Sequence, residues 1–183
     1  MPNKSIKLIE CPRDALQGVH KIVSTQDKIA YYQYLLQVGY DTLDCGSFVS
    51  PKAIPQMADS SNVIKGLDLS QTNTKLLTIV ANERGALAAV TFDAISYLGY
   101  PFSVSENFQM RNTAKTISES IVVLDRICEI ARAHDKEVVV YLSMGFGNPY
   151  GDSWSPKIIE KWADQIIGMG VSIISISDTV GTA

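Results

Sequence analysis

One run of apolar residues, at 137–144, restricts the folds open to this chain more than any other feature. Its centre reads VVVYL and has no polar face. A strand that is apolar on both sides must be covered on both sides, which is typical of parallel sheets packed between helices. A half-exposed strand would instead alternate polar and apolar residues. The run therefore favours an α/β fold with a parallel sheet.

Similar strand-like runs alternate with helical patterns along the chain. The units are about 30 residues long, as expected for repeated strand–helix–strand units. Strands are predicted at 6–9, 42–45, 75–81, 94–100, 137–144 and 172–177. Helices are predicted at 24–39, around 63–67, at 83–92, at about 118–134 and from 155 to about 168. Ser50 and Pro51 are residue types that start helices, so a helix start is also expected there.

Polar residues follow nearly every predicted strand, and this distribution is typical of the catalytic rim of a barrel. They are Arg13, Asp14, Asp44, Ser47, Asn82, the segment 103–106, which is predicted to be a loop, Asp178 and Thr179. The predicted fold class is α/β: a (β/α)8 TIM barrel with about the first six strand–helix units present, in one domain over residues 1–183. An open doubly wound sheet is the structural alternative. Because such a barrel typically needs roughly 250 residues, we expect the sequence to be part of a longer gene product.

Composition excludes several function classes. The net charge of −3 gives no basic footprint for nucleic acid and no polybasic patch for a membrane surface. No GxGxxG follows the first strand and no GxxxxGK[ST] occurs, so the usual nucleotide-binding signatures are missing. The three cysteines, Cys11, Cys45 and Cys128, form no CxxC pair, which suits a reducing compartment. A cytoplasmic protein without nucleic-acid or membrane partners is expected.

The stretch 6–17, IKLIECPRDALQ, carries the first candidate chemistry. Its apolar run ends at Pro12, which cannot donate a ladder hydrogen bond, so Arg13 and Asp14 follow the end of a strand. A carboxylate is a hard oxygen ligand for Mg²⁺ or Mn²⁺, and a guanidinium beside it can stabilise an oxyanion. An ordinary ion pair in a loop is the alternative, and these two residues alone favour that interpretation.

Three segments together resemble a known family. IxxCPRDALQ, DCGSFVSPKAIPQMAD and SISDTVGTA are similar to the 3-hydroxy-3-methylglutaryl-CoA lyases of the DRE-TIM metallolyase superfamily. The similarity runs in register from about Ile6 to the last residue. The segment 47–59 is its specific part, since Arg-Asp-x-x-Gln alone also occurs in isopropylmalate and homocitrate synthases.

The resemblance implies a role for each candidate residue. It puts Asp14 on a divalent cation, Mg²⁺ or Mn²⁺, and Arg13 against the thioester oxygen of an acyl-CoA substrate. Asp44 falls where the lyases usually carry a glutamate that supports the arginine, and Asp178 matches a carboxylate that faces the substrate hydroxyl. Without the family, Asp178 would be interpreted as a helix N-cap. Gln17 is implied beside the cation, in the same loop as Arg13 and Asp14. The remaining residues implied at the substrate are Thr179, His20 and Lys21, the last two near the CoA phosphate.

The implied reaction is retro-Claisen cleavage of 3-hydroxy-3-methylglutaryl-CoA to acetyl-CoA and acetoacetate, in a protein that is a homodimer when full length. A condensing synthase of the same superfamily and a non-catalytic acyl-CoA-binding barrel are the alternatives. The chain departs from the family at Ala15, at Gly18 and Val19, and at Asp44, which is one methylene shorter than glutamate. Its histidines, His20 and His134, form no His-x-His pair of the kind that binds the lyases' metal. We therefore expect the chain alone to be inactive.

Overall fold

The computed structural model describes residues 6–183. Its strands are β1 (Ile9–Glu10), β2 (Thr42–Ser47), β3 (Lys75–Ile79), β4 (Ile95–Ser103), β5 (Glu137–Ser143) and β6 (Ile173–Ile176). Its α-helices are α1 (Pro12–Gln17), α2 (Thr25–Val38), α3 (Ser60–Gly66), α4 (Glu83–Ala89), α5 (Glu106–Thr113), α6 (Ile117–Ala133) and α7 (Pro156–Gly168), with a 3₁₀ helix at Pro55–Met57. No helix within residues 6–183 combines the length and apolar character needed to cross a bilayer.

The sheet repeats the order of the chain. Its hydrogen-bonded order is β1-β2-β3-β4-β5-β6. The pairs β1–β2, β2–β3 and β5–β6 are parallel, as predicted, with Ile9 opposite Thr42 and Val139 opposite Ile173. A doubly wound sheet would reverse its strand order at a switch point, whereas a barrel adds each strand beside the previous one. The observed order is that of the barrel.

The chain forms two compact units. The first runs to Ile79 and includes Phe92–Tyr97, and the second contains Val80–Thr91 and Leu98–Ala183. In the first unit, every residue of β2 is buried, and its core includes Leu43 of β2, Leu76 of β3 and Tyr32 and Leu36 of α2.

The second unit is built around α6 and β5. Thr116 and Glu119 form a capping box at the start of α6, which satisfies backbone N–H groups that the first turn leaves free. Leu124 and Ile127 of α6 are completely buried, as are Val140 and Leu142 of β5. The apolar run that predicted a parallel strand is therefore part of the core.

Three local predictions were wrong. Residues after the first strand were expected to be a loop, but Pro12 starts α1, because its fixed φ suits the first helical position. The polar segment 103–106 was also expected to be a loop, but Ser105 accepts a hydrogen bond from the Phe108 N–H (3.1 Å) and caps α5. Ser50 starts a turn rather than a helix, with its carbonyl accepting from Ala53. Pro55 has no N–H with which to continue a helix there.

Candidate active site

The site begins at α1, a helix of six residues directly after β1. Pro12 at its first position is buried, and it places Arg13 and Asp14 in the first helical turn. Asp14 is well placed there because helix N-termini favour negative charge. Arg13 and Gln17 are four residues apart, so they share one face of the helix.

Arg13 is anchored by Asp44 of β2. The Arg13 Nε donates to Asp44 Oδ1 (3.1 Å) and Oδ2 (3.2 Å), and Nη2 donates to Oδ2 (2.6 Å). The Asp44 side chain is 0% exposed and that of Arg13 is 12% exposed. A carboxylate that receives two nitrogens of one guanidinium fixes both the position and the plane of that group.

The other edge of the guanidinium faces outward. Its Nη1 donates to Gln17 Oε1 (2.5 Å) and to Asp14 Oδ1 (3.2 Å), and both contacts lie in exposed surroundings. Asp44 therefore holds the buried edge of the Arg13 guanidinium, and Nη1 at the other edge has Gln17 and Asp14 as polar neighbours. The structure brings four of the predicted residues together: Arg13, Asp14, Gln17 and Asp44.

Burial and Arg13 have opposite effects on the pKa of Asp44. Burial raises the pKa of the Asp44 carboxyl above its ordinary value, while the hydrogen bonds and positive charge of Arg13 act in the opposite direction. Cys11, which precedes α1, is half-buried, and burial together with the charge of Asp44 raises the pKa of its thiol to about 11. Cys11 therefore stays a neutral thiol at physiological pH and is a poor nucleophile.

Asp14 has the chemistry of a single cation ligand. Its side chain is 74% exposed, and Arg13 is its ion-pair partner. Within residues 6–183 no group of three or more His, Cys, Asp or Glu side chains is placed to hold a metal. Mg²⁺ commonly binds one or two protein carboxylates and completes its octahedron with water and substrate. Asp14 fits such a site as one ligand, and the site would need further groups.

His20 and Lys21 lie in an exposed segment between α1 and α2. The carbonyls of Val19 and Lys21, on either side of His20, accept hydrogen bonds from Gln56, a buried residue of the 3₁₀ helix that was not predicted. The pair of buried Lys28 and partly buried Asp59, whose Nζ and Oδ1 are 2.7 Å apart, was also not predicted. A signal for Lys28 existed, because it lies four residues before the buried Tyr32 and so on the buried face of α2.

Asp178 and Thr179 belong to the second unit. Asp178 Oδ1 accepts a hydrogen bond from the Thr182 N–H (2.8 Å) and Oδ2 accepts from the Ala183 N–H (3.1 Å). These bonds lower the pKa of Asp178, so it is ionised at neutral pH. The Thr179 Oγ1 accepts from the Met144 N–H (2.8 Å) and thereby fixes the start of the loop after β5. No helix follows β6 within the described residues, so Asp178 is not a helix N-cap, and its carboxylate instead holds the backbone of the turn that follows it.

A second carboxylate in this unit was not predicted. Asp152 accepts hydrogen bonds from the Ser105 hydroxyl (2.5 Å), the Asn107 N–H (3.0 Å) and the Asn107 Nδ2 (2.6 Å). These bonds lower the pKa of Asp152. They tie the loop after β5 to the start of α5. Sequence alone gave no signal for this contact, because Asp152 lies 47 residues from Ser105.

Tyr32 offers a test of packing beneath the site. Its ring is fully buried, its hydroxyl has no hydrogen-bond partner among the described residues, and burial raises its pKa. A buried hydroxyl without a partner costs about 1–3 kcal/mol. Tyr32→Phe is therefore expected to leave the free energy of unfolding unchanged or to raise it by about 1 kcal/mol. Urea denaturation measures this.

Tyr100→Phe is the matched control. Tyr100 is equally buried, but its hydroxyl donates to the Ser120 carbonyl (3.1 Å). Its loss should lower the free energy of unfolding by about 1 kcal/mol. Equal destabilisation by the two substitutions would show that the Tyr32 hydroxyl has a stabilising contact.

Comparisons with known proteins bear on the family and the fold. The sequence model of a family described as HMGL-like matches residues 6–183. The mitochondrial hydroxymethylglutaryl-CoA lyase of Rattus norvegicus is 37% identical over 182 residues, covering 97% of this chain and 54% of that protein. The crystal structure of hydroxymethylglutaryl-CoA lyase from Pseudomonas aeruginosa superposes with a TM-score of 0.91 at 31% identity, covering 98% of this chain and 60% of that one.

A third likeness includes a ligand. The structure of an HMG-CoA lyase from Acinetobacter baumannii, in complex with coenzyme A and 3-methylmalate, gives a TM-score of 0.90 at 28% identity. It covers 97% of this chain and 58% of that one. The chain therefore spans about half the length of the rat protein and under two thirds of the bacterial chains. The mitochondrial name of the rat protein does not support the expected cytoplasmic location, which stays a prediction.

These likenesses confirm the fold prediction of a partial (β/α)8 barrel, of which the structure contains six strands. They also confirm the resemblance of the three motif segments, because the matched region begins at Ile6 and reaches the last residue. By its sequence and its fold, the chain belongs to the HMGL-like family.

Proposed function

We propose that the complete gene product carrying this chain cleaves 3-hydroxy-3-methylglutaryl-CoA to acetyl-CoA and acetoacetate, and that it works as a homodimer. The observation that supports this most is the guanidinium of Arg13. Asp44 holds its buried edge in one plane, while Nη1 lies in exposed surroundings. A fixed donor of this kind is what a developing oxyanion requires, because it needs no reorganisation during the reaction.

The proposed chemistry divides into proton removal and enolate stabilisation. A carboxylate takes the proton of the substrate hydroxyl, and the electrons of that O–H bond form the C3 carbonyl of acetoacetate. The C2–C3 bond breaks at the same time, and its electron pair forms the thioester enolate, whose C2 then takes up a proton to give acetyl-CoA. Arg13 is proposed to hold the enolate oxygen. Asp178, supported by its ionised state and by its match to the family, is proposed to face the hydroxyl, with Thr179 beside it.

The remaining residues are proposed to bind substrate and cation. Gln17 would lie beside the cation, in the same helix as Arg13, and His20 and Lys21 would meet the CoA phosphate. Asp14 would supply one ligand to Mg²⁺ or Mn²⁺. A bound divalent cation would polarise substrate oxygens. The exposure of Asp14 supports this role, because its oxygens are reachable from solvent.

Acetoacetate release from 3-hydroxy-3-methylglutaryl-CoA tests the proposal. We expect turnover by the complete gene product with Mg²⁺ or Mn²⁺ and loss of turnover with EDTA. Thiol release from acetyl-CoA with a 2-oxo acid, without acetoacetate formation, would instead identify a synthase. Binding of CoA without turnover of either substrate would identify a non-catalytic acyl-CoA-binding barrel. Either result would contradict the proposal.

Asp14→Asn is expected to reduce metal-dependent turnover at least about a hundredfold, since loss of a cation's ligand removes several kcal/mol of transition-state stabilisation. Its melting temperature should match that of the wild type, because Asp14 is exposed and surface substitutions change stability little. Steady-state kinetics across a range of Mg²⁺ concentrations measure the effect.

Glu83→Gln is the matched control, because Glu83 is also an exposed acidic residue in the first turn of a helix, α4. It should leave turnover unchanged. If Asp14→Asn retained full activity at low Mg²⁺ concentration, Asp14 would not be a ligand.

A further inference from the structure

The side chain of Gln56 holds the segment that carries His20 and Lys21. Its Nε2 donates to the carbonyls of Val19 (3.2 Å) and Lys21 (3.1 Å), and its Oε1 accepts from the Val23 N–H (2.9 Å). Gln56 is 4% exposed, so these bonds are formed away from competing water. One amide therefore fixes the backbone on both sides of His20 and beside Lys21.

Gln56 is itself held by a partly buried ion pair. The Lys28 side chain is 2% exposed and that of Asp59 is 21% exposed, and the Lys28 ammonium donates to the Gln56 carbonyl and to Asp59 Oδ1 (2.7 Å). The second Asp59 oxygen, Oδ2, accepts from the Thr25 hydroxyl (2.7 Å). An ion pair with one buried partner contributes little net stability, because desolvation of the buried charge offsets its attraction. Its clearer effect is to fix positions, here those of Gln56 and of the start of α2.

The segment 19–23 therefore combines a fixed backbone with exposed cationic side chains. His20 and Lys21 are both exposed. Fixing the backbone in advance reduces the ordering that ligand binding would otherwise require. An anion that meets these side chains thus binds a segment that is already in place.

We infer that Gln56 is a positioning residue for acyl-CoA: it holds the segment 19–23 so that His20 and Lys21 meet the phosphate end of the substrate. The inference rests on the proposed function and deepens it. Gln56 acts on the CoA end alone and makes no contact with Arg13 or Asp44 among its hydrogen bonds. Its contribution is therefore to substrate binding and not to the chemical step.

Substrates with and without the phosphate end separate this role from a merely structural one. In Gln56→Ala, KM for 3-hydroxy-3-methylglutaryl-CoA is expected to rise about tenfold, as loss of one or two pre-ordered side chains implies. The turnover number should stay within about twofold, because the site around Arg13 is untouched. For the matching acyl-pantetheine, which has no nucleotide phosphates, KM and the turnover number of Gln56→Ala should equal those of the wild type.

Gln33→Ala is the matched control. The Gln33 amide also holds a neighbouring backbone from both sides, since Nε2 donates to the Asp68 carbonyl (2.9 Å) and Oε1 accepts from the Asp68 N–H (3.0 Å). Its loss should leave KM for both substrates unchanged. Equal effects of Gln56→Ala on the CoA and pantetheine substrates, or no effect on either, would overturn the inference.

A double-mutant cycle that combines Gln56→Ala with Lys21→Ala tests whether Gln56 acts through Lys21. The loss of affinity caused by Lys21→Ala should be smaller in the Gln56→Ala background than in the wild type. Fully additive effects would contradict positioning. If Gln56→Ala fails to fold, Gln56→Glu replaces it, because its carboxylate keeps the acceptor for Val23 and loses both Nε2 donor bonds.

Direct binding separates failure of the inference from failure of the proposed function. Calorimetry with CoA and with pantetheine needs no turnover, and Gln56→Ala should weaken CoA binding only. Amide exchange at 19–23 should accelerate in Gln56→Ala and not in Gln33→Ala. If the wild type binds CoA without cleaving the substrate, the proposed lyase activity is refuted. The calorimetry and amide exchange of Gln56→Ala then still test the positioning role of Gln56. A wild type that binds no CoA would overturn both.

Discussion

Arg13→Lys is expected to lower the turnover of 3-hydroxy-3-methylglutaryl-CoA by about 10²–10³-fold, the usual cost of removing one fixed oxyanion donor. Lysine keeps the positive charge beside Asp44 but has no planar fork. It cannot bind both Asp44 oxygens and at the same time place a second nitrogen beside Gln17. Coupled assays of acetoacetate release, with circular dichroism to confirm folding, measure the effect.

Arg126→Lys is the control for an arginine in an exposed pair. Arg126 Nη1 lies 2.7 Å from Glu129 on the surface of α6, and both side chains are more than half exposed. Its turnover should equal that of the wild type. If Arg13→Lys retained wild-type turnover, its guanidinium would not be the group that stabilises the enolate.

Asp44→Asn is expected to lower the free energy of unfolding by about 3 kcal/mol, as the loss of one partner from a buried ion pair does. The substitution keeps the shape of the side chain but removes the charge that faces Arg13, whose side chain is 12% exposed. Turnover should also fall, because the guanidinium loses the partner that fixes its plane. Urea denaturation and acetoacetate release measure the two effects on the same preparation.

Glu129→Gln is the matched control, because it also neutralises the partner of an arginine but at an exposed pair. It should change the free energy of unfolding by no more than about 0.5 kcal/mol. Comparable destabilisation by the two substitutions would mean that burial does not make the Asp44–Arg13 pair more important for stability than an exposed pair.

Local signals predicted most of the elements correctly. The start of α7 at Pro156 follows from Ser155 as N-cap, and the position of β5 follows from its unbroken apolar run. The missed helices, α1 and α5, are six and eight residues long. Helices this short lack the repeated apolar spacing by which longer ones are recognised, so only their starting residues could have revealed them.

In the candidate site, too, some residues could be predicted from local sequence signals and others could not. The motif at 6–17 and its resemblance to a family identified Arg13 and Asp14 directly, and Asp44 followed by its place in the family pattern. Gln56 was missed, because glutamine in a short segment carries no signal of its own. Its partners Val19, Lys21 and Val23 lie 33 to 37 residues away, at a distance along the chain that no local pattern spans.

The sequence by itself determined the family, the alternation of strands and helices, and the residue types at the strand ends. These depend on local propensities, apolar periodicity and motif spacing, all of which can be read from residues close together in the sequence. Only the tertiary structure decided which edge of Arg13 is buried, that Asp44 is fully enclosed, and that Gln56 holds the segment of His20 and Lys21. The physical reason is that burial and hydrogen-bond partnership are set by neighbours brought close by folding, and these are mostly distant in the sequence.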